Sequence, residues 1–258
     1  MAASRLELAR ELRDRWGPPA ARKGSNVMQS VAVRLKESIE EYAEALSSSS
    51  ALQAIAQRGE LRPRAFAQYL ESLRQLFQES QRSLALAAER SEQLGDAPLA
   101  EYFWRKVGEE LGHDEWASDD LARLPAAASF EVSPARSIGR LIALQRELIA
   151  VHPICFVAYS LWAEYFTVLL GDDWLAALAA NGYERGQVSA VAKHVDADRA
   201  HAANGFEVMD CLWRGQPDQA TVLQGVERAG AIFRAFCDEI CSTSNASHES
   251  VVQSGVTD

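Results

Sequence analysis

Lys193-His194-Val195-Asp196-Ala197-Asp198-Arg199-Ala200-His201 carries two of the five histidines in the chain, and its spacing makes sense on a helix. At 3.6 residues per turn His194, Asp198 and His201 fall at i, i+4 and i+7, on a stripe roughly 60° wide. Three side chains able to ligate a metal then share one face. Asp196 points to the opposite face, as an ordinary solvated acid. A polar helix face with two unrelated histidines would read the same way, so the stretch needs the rest of the chain to give it meaning.

Working outward, the same periodicity recurs almost everywhere. Met28, Val31, Leu35, Ile39, Tyr42 and Leu46 return at threes and fours over 27–46, closed by the serine run 47–50. Phe66, Tyr69, Leu70, Leu73, Phe77 and Leu84 do so over 63–94, with Gly95 as a stop. Further helices are expected over 5–16, 99–124, 134–151 and 218–240. Gly171-Asp172-Asp173 is expected to separate an apolar helix from a short one ending near Asn181-Gly182, and the opening helix to run from after Gly186 to about Trp213. No strand alternation or hairpin dipeptide interrupts this pattern. The fold class is therefore all-α, a bundle of about seven to nine helices in one domain over 27–241, with an N-terminal extension (1–26) and a frayed tail (242–258).

With 258 residues the chain can bury a full core without staples. A net charge of −10 with no basic block argues against a nucleic-acid or anionic-membrane surface. Cys155, Cys211, Cys237 and Cys241 form no CxxC pair, which suggests reduced thiols in a cytoplasmic protein, and the N-terminus lacks the pattern of a secretory signal. Ile154 to Leu170 is apolar and aromatic but short for a bilayer span, and it carries Glu164 at its middle. A buried core helix is expected, and its carboxylate needs a cation or a proton.

Three helices thus offer inward ligands: Glu110 and His113 at i and i+3, Glu164, and the set His194, Asp198 and His201. Three imidazoles with three carboxylates suit Fe(II) or Mn(II), whereas structural zinc would recruit the thiols. Two divalent ions against three carboxylates leave a small positive excess, which favours an anionic substrate or a bound peroxide. Lys106 lies one turn before Glu110 on the same face and is the candidate anchor for a substrate carboxylate. The bland reading of that pair is a surface Lys106–Glu110 contact. Glu109 should project about 100° away. His152 before Pro153 reads as a helix start. The aromatic stripe Phe156, Tyr159, Trp162, Tyr165 and Phe166 reads as core, with Ser160, Leu161, Thr167 and Val168 lining any cavity.

Glu-x-x-His, a lone Glu about fifty residues later in aromatic-apolar surroundings, and His-x-x-x-Asp-x-x-His about thirty beyond resemble the haem-oxygenase-like diiron oxidases. The surrounding Glu109-Glu110-Leu111-Gly112-His113-Asp114-Glu115-Trp116 and Asp119-Asp120-Leu121 agree with this. The resemblance spans about 30–240. It implies a haem-oxygenase-like bundle of about seven core helices plus short extra ones. It also implies two Fe(2+) per chain, Mn being an alternative, on Glu110, His113, Glu164, His194, Asp198 and His201, with Glu164 bridging, and O2 as co-substrate. Known members oxidise small amine-, amino-acid- or fatty-acid-like metabolites by N-oxygenation or C–C cleavage, often in specialised-metabolite biosynthesis. Hydroxylation and desaturation share the same ligands. Some members carry a carboxylate seven residues before the His, where this chain has Lys106. A small-molecule substrate, an electron donor and a homodimer are the partners expected, with no nucleic acid or membrane.

Two alternatives come from other classes. One is a metal-free hydrolase resembling thiaminase II, with Cys155 as nucleophile, although no histidine is placed to activate it. The other is a non-enzymatic helical interaction protein. Haem oxygenases take an axial histidine from an early helix, whereas no histidine precedes His113.

Overall fold

The computed structural model describes residues 29–58, 60–124 and 131–254, which leaves the expected helix over 5–16 outside the described residues. Within them the chain forms helices joined by short connections, with no strand among the described residues. In order these are α1 (Val31–Ser47), α2 (Ser50–Arg58), α3 (Pro63–Gln93), α4 (Ala97–Glu110), α5 (His113–Arg123), α6 (Arg136–Val151), α7 (Pro153–Ala180), α8 (Ser189–Leu212) and α9 (Gln219–Ser254), with one 3-10 turn at Arg185–Gln187.

Local chemistry sets the ends. Ser30 Oγ accepts from Val33 N–H at 3.2 Å to start α1. Pro63 opens α3, where its missing N–H costs nothing. Asp96 accepts from Leu99 N–H at 3.2 Å to start α4. His152 Nδ1 accepts from Ile154 N–H at 3.2 Å, so this residue does begin a helix, α7.

Four expectations are corrected. The single helix over 99–124 is broken at Leu111-Gly112, where Gly112 adopts φ 83°, a left-handed conformation that ends α4 and restarts the chain as α5. Gly171 does not separate two helices, because α7 runs through it. A Cβ there would meet Val195 Cγ2 at 2.4 Å, so the glycine lets α8 approach closely. The segment after Ile240, expected as a frayed tail, continues α9 to Ser254, and the buried Ser244 Oγ accepts from Arg62 N–H at 2.8 Å. The serine run after α1 hides a further helix, α2, whose Ile55 is buried.

α7 packs against α8, α9, α1 and α6 and has apolar residues around its whole circumference. Among the described residues it alone is long and apolar enough to cross a membrane. More than half of its most apolar window is buried inside the protein, as a core helix requires. Glu164 sits on it, 9% exposed.

The first turn of α6 has no cap of its own, and α9 supplies one. Glu239 accepts from Arg136 N–H at 2.8 Å, from Ser137 N–H at 3.2 Å and from the Ser137 hydroxyl at 2.9 Å. Partial burial raises its pKa, but these bonds to the ionised form outweigh it and hold the carboxyl below its ordinary value. Losing the cap should cost about 1 kcal/mol. Glu239→Ala is therefore expected to lower the melting temperature by about 2–4 °C near neutral pH. Because the folded-state pKa is depressed, the difference from wild type is full above the unfolded pKa of about 4.5 and disappears as pH falls through the folded value. Thermal melts of both proteins across pH check this.

Candidate metal centre

Four helices bring the predicted residues together. α4 ends with Lys106 and Glu110, α5 begins with His113, α7 contributes Glu164, and α8 contributes His194, Asp198 and His201. One metal-capable group of ligand atoms comprises Glu110, His113 and His194, and another comprises Glu110, Glu164 and His201. Within each group all atoms lie within 4.8 Å of one another. Asp198 Oδ1 stands 3.3 Å from His201 Nδ1, which is itself 3.6 Å from Glu164 Oε1. All six side chains thus converge. The carboxylate common to both groups is Glu110, not Glu164, which the family resemblance put in the bridging role.

The centre lies inside the protein, with His113, Glu164 and Asp198 all buried. His194 Nδ1 lies 2.7 Å from the Ala190 carbonyl. A carbonyl only accepts, so Nδ1 carries the hydrogen and Nε2 keeps its lone pair. That Nε2 is buried without a hydrogen bond, as are His113 Nδ1 and His201 Nδ1. His113 Nδ1 is 2.8 Å from Glu110 Oε2, but not in line for N–H donation. Buried polar atoms without partners are rare and need an explanation. Three imidazole nitrogens facing carboxylates without bonding them are arranged as metal ligands are. By this test the residues fit a divalent metal.

Electrostatics agrees. Burial raises the Glu110 pKa, but His113, Lys106 and His194 outweigh it and hold the carboxyl at about 2, ionised throughout the neutral range. Burial pushes His194 down, against the pull of Asp198, which keeps its imidazole in the neutral form that binds metals. Outside the cluster, Asp196 pairs with Arg185 at 2.8 Å on the surface, the solvated role expected of it.

Lys106 departs from its expected role. Its ammonium is buried and bonded to Glu164, and it stands 3.4 Å from Glu109, so protein carboxylates hold the group expected to anchor a substrate carboxylate. Glu109, expected to point away, reaches the same ammonium.

A cavity of about 520 Å³ opens on the centre. Lys106, Glu110, Glu164, His194 and Asp198 line it, and the rest of its wall is chiefly aliphatic and aromatic, including Leu46, Leu73, Phe77 and Phe236. Phe156, Tyr159, Trp162 and Phe166, expected as pure core, also line it, whereas Tyr165 donates to Glu40 at 2.6 Å. Ser160 and Thr167 reach the cavity. Leu161 and Val168 do not, and Leu161 instead covers Gly205 of α8. Cys155 is not among the lining residues, and burial pushes its thiol up to about 11.

Asp120, which the sequence shows within Asp119-Asp120-Leu121 without giving it a role, is buried on α5. It accepts from Ser189 Oγ at 2.6 Å and from Ala190 N–H at 2.8 Å, and so ties the start of α8 to the helix that carries His113. An acid in the last turn of a helix, where the dipole disfavours it, was the available signal.

No family model and no curated protein sequence matches the chain. Solved structures do. A domain of unknown function with a haem-oxygenase-like fold from Shewanella denitrificans OS217 superposes with a TM-score of 0.72 at 17% identity, covering 90% of this chain and 98% of that one. A TenA homolog from Pseudomonas syringae pv. tomato DC3000 gives 0.62 at 15%, covering 85% and 98%. Haem oxygenase-1 from the cyanobacterium Synechocystis sp. PCC6803, in complex with haem, gives 0.63 at 15%, covering 89% and 100%. The chain has the haem-oxygenase-like all-α fold, as expected, and at these identities the likeness speaks to fold alone.

Asp120→Ala would leave a buried N–H at the start of α8 unpaired, at a cost of about 1–3 kcal/mol. A lower urea midpoint together with weaker divalent-metal affinity is expected, because the tie between His113 and His194 is lost; an unchanged affinity would show that α8 is placed without it. Trp116 stacks on the His113 ring at 4.1 Å, and the Lys193 ammonium lies over the Trp116 ring, 4.6 Å from its centroid. Mn(II) addition should therefore quench part of the tryptophan emission in the wild type, and that fraction should be missing in Trp116→Phe.

Proposed function

On this haem-oxygenase-like scaffold we propose a non-haem iron oxidase or oxygenase that uses O2 to oxidise a small metabolite with an apolar body and an acidic head. The observation that carries the reading is the convergence of three unbonded imidazole nitrogens with three carboxylates at the end of an apolar cavity. Such a donor set of nitrogen and carboxylate oxygen favours Fe(II), with Mn(II) as substitute, over a thiolate-bound zinc. Glu110, His113 and His194 would hold one ion, and Glu110, Glu164 and His201 a second, with Asp198 beside His201. The bound iron supplies O2 activation and the oxidising power.

The chain's own residues do the rest. Ala190 orients the His194 ring through Nδ1, so that Nε2 faces the centre. The aromatic wall excludes water and favours an aliphatic substrate over a polar amino acid. Two divalent ions together with the Lys106 ammonium outweigh the three carboxylates, so the centre draws the acidic head of the substrate and leaves its apolar body in the cavity. Phe77, stacked at 4.2 Å on His194, forms part of that wall. A thiaminase-like reading finds less support, because the Cys155 thiol is buried away from the cavity and held protonated. Electrons would come from an external donor or from the substrate, and cytoplasmic placement and a homodimer belong to the same proposal.

The test is anaerobic Fe(II) loading followed by elemental analysis, thermal melts and O2-uptake measurements with aliphatic acids and polar amino acids. Iron retention, a higher melting temperature, and uptake stimulated by the aliphatic acids are expected, all lost in His194→Ala. A wild-type protein that keeps no iron overturns the reading.

A further inference from the structure

The two groups that share Glu110 differ in one respect. Around Glu110, His113 and His194, the imidazole nitrogens lack hydrogen bonds, and the Lys106 ammonium acts on the Glu110 carboxylate through its charge. In the second group Glu164 already holds a cation, the Lys106 ammonium. A small cleft of about 20 Å³ lies at this second group. It is lined by Lys106, Glu109, Glu164, His201 and Asn204, with Arg105 contributing further positive charge. That volume is room for about one water-sized species.

We infer that Lys106 is the resident cation of the second position, so that the centre fills in two unequal steps. This rests on the metal reading above and deepens it. The first ion enters among imidazole nitrogens that have no hydrogen bond to give up. The second must take Glu164 from the ammonium and then remain near it, because Lys106 is buried in the same cluster of side chains. Glu109, 3.4 Å away and about a quarter exposed, is the carboxylate that receives the displaced ammonium. Like charges at contact range in a partly dry site repel strongly, so the second step should be at least about tenfold weaker than the first. Lys106 acts here on metal occupancy as a positioning residue, through Glu164.

Mn(II) titration of the full-length metal-free protein, with free ion counted by electron paramagnetic resonance, tests this without any turnover. Wild type is expected to bind one ion tightly and a second at least about tenfold more weakly. Lys106→Met should strengthen the second step and leave the first nearly unchanged, whereas Lys106→Arg, which keeps the charge, should preserve the gap. Glu109→Gln, a near-isosteric change at a half-buried position, should weaken the second step by removing the charged acceptor for the ammonium, and so gives an independent reading if Lys106→Met does not fold. Two equal steps in wild type, or a gap untouched by Lys106→Met and Glu109→Gln, would overturn the inference while leaving the metal centre standing. Absence of the first tight ion would instead sink the metal reading itself.

Discussion

A carboxylate carried into the core by a helix apolar on every side is the constraint on which this structure turns. Glu164 cannot stay ionised there alone, because an unpaired buried charge costs several kcal/mol. The fold answers with Lys106 from α4 and His201 from α8, both within contact range of the same oxygen. The three helices α4, α7 and α8 are thereby committed to one meeting point. The close approach of α8 to α7 follows from small residues: Gly171 accepts Val195, and Gly205 accepts the end of the Leu161 side chain. The first contact is the stiffer, since a β-branched side chain cannot turn aside as a leucine tip can.

The centre is also held by caps that cross from one helix to another. Asp120 of α5 caps α8, and Glu239 of α9 caps α6. Each satisfies backbone donors that the helix itself leaves unpaired, and each fixes the angle between two elements in doing so. The loop-like break at Gly112 belongs to the same scheme, because it lets α5 start a new direction while His113 remains beside Glu110. Precision at the centre is thus borrowed from the Asp120 contacts, one turn before His194.

The fold alone is neutral about chemistry. Structures with the same architecture include one in complex with haem and one described as a TenA homolog, so the functional argument has to come from the site. Here that argument is the disagreement between what the imidazoles offer and what the protein gives them to bond. A satisfied polar network would have closed these nitrogens with hydrogen bonds, as Asp120 is closed by the Ser189 hydroxyl at 2.6 Å and the Ala190 N–H at 2.8 Å. The apolar cavity beside them adds the second half, a place where an aliphatic body can lie against the same carboxylates.

Periodicity in the sequence was enough to determine the helical class, the buried character of α7 and the common face of His194, Asp198 and His201. Those properties depend on which residues share a helix face, which spacing alone decides, whereas their grouping with Glu110, His113 and Glu164 on other helices came from the family resemblance. Four things depended on tertiary structure. Glu110 rather than Glu164 is common to both groups, because that depends on the angle at which α4 meets α8. Lys106 is bonded to Glu164, because a lysine long enough to reach a neighbouring helix chooses its partner by distance across the core and not by position along its own helix. The aromatic residues of α7 line a cavity as well as a core, because one helix presents different faces to different neighbours. Gly171 continues a helix instead of ending one, because the missing side chain serves the packing of Val195, a residue 24 positions away in sequence that only folding brings into contact.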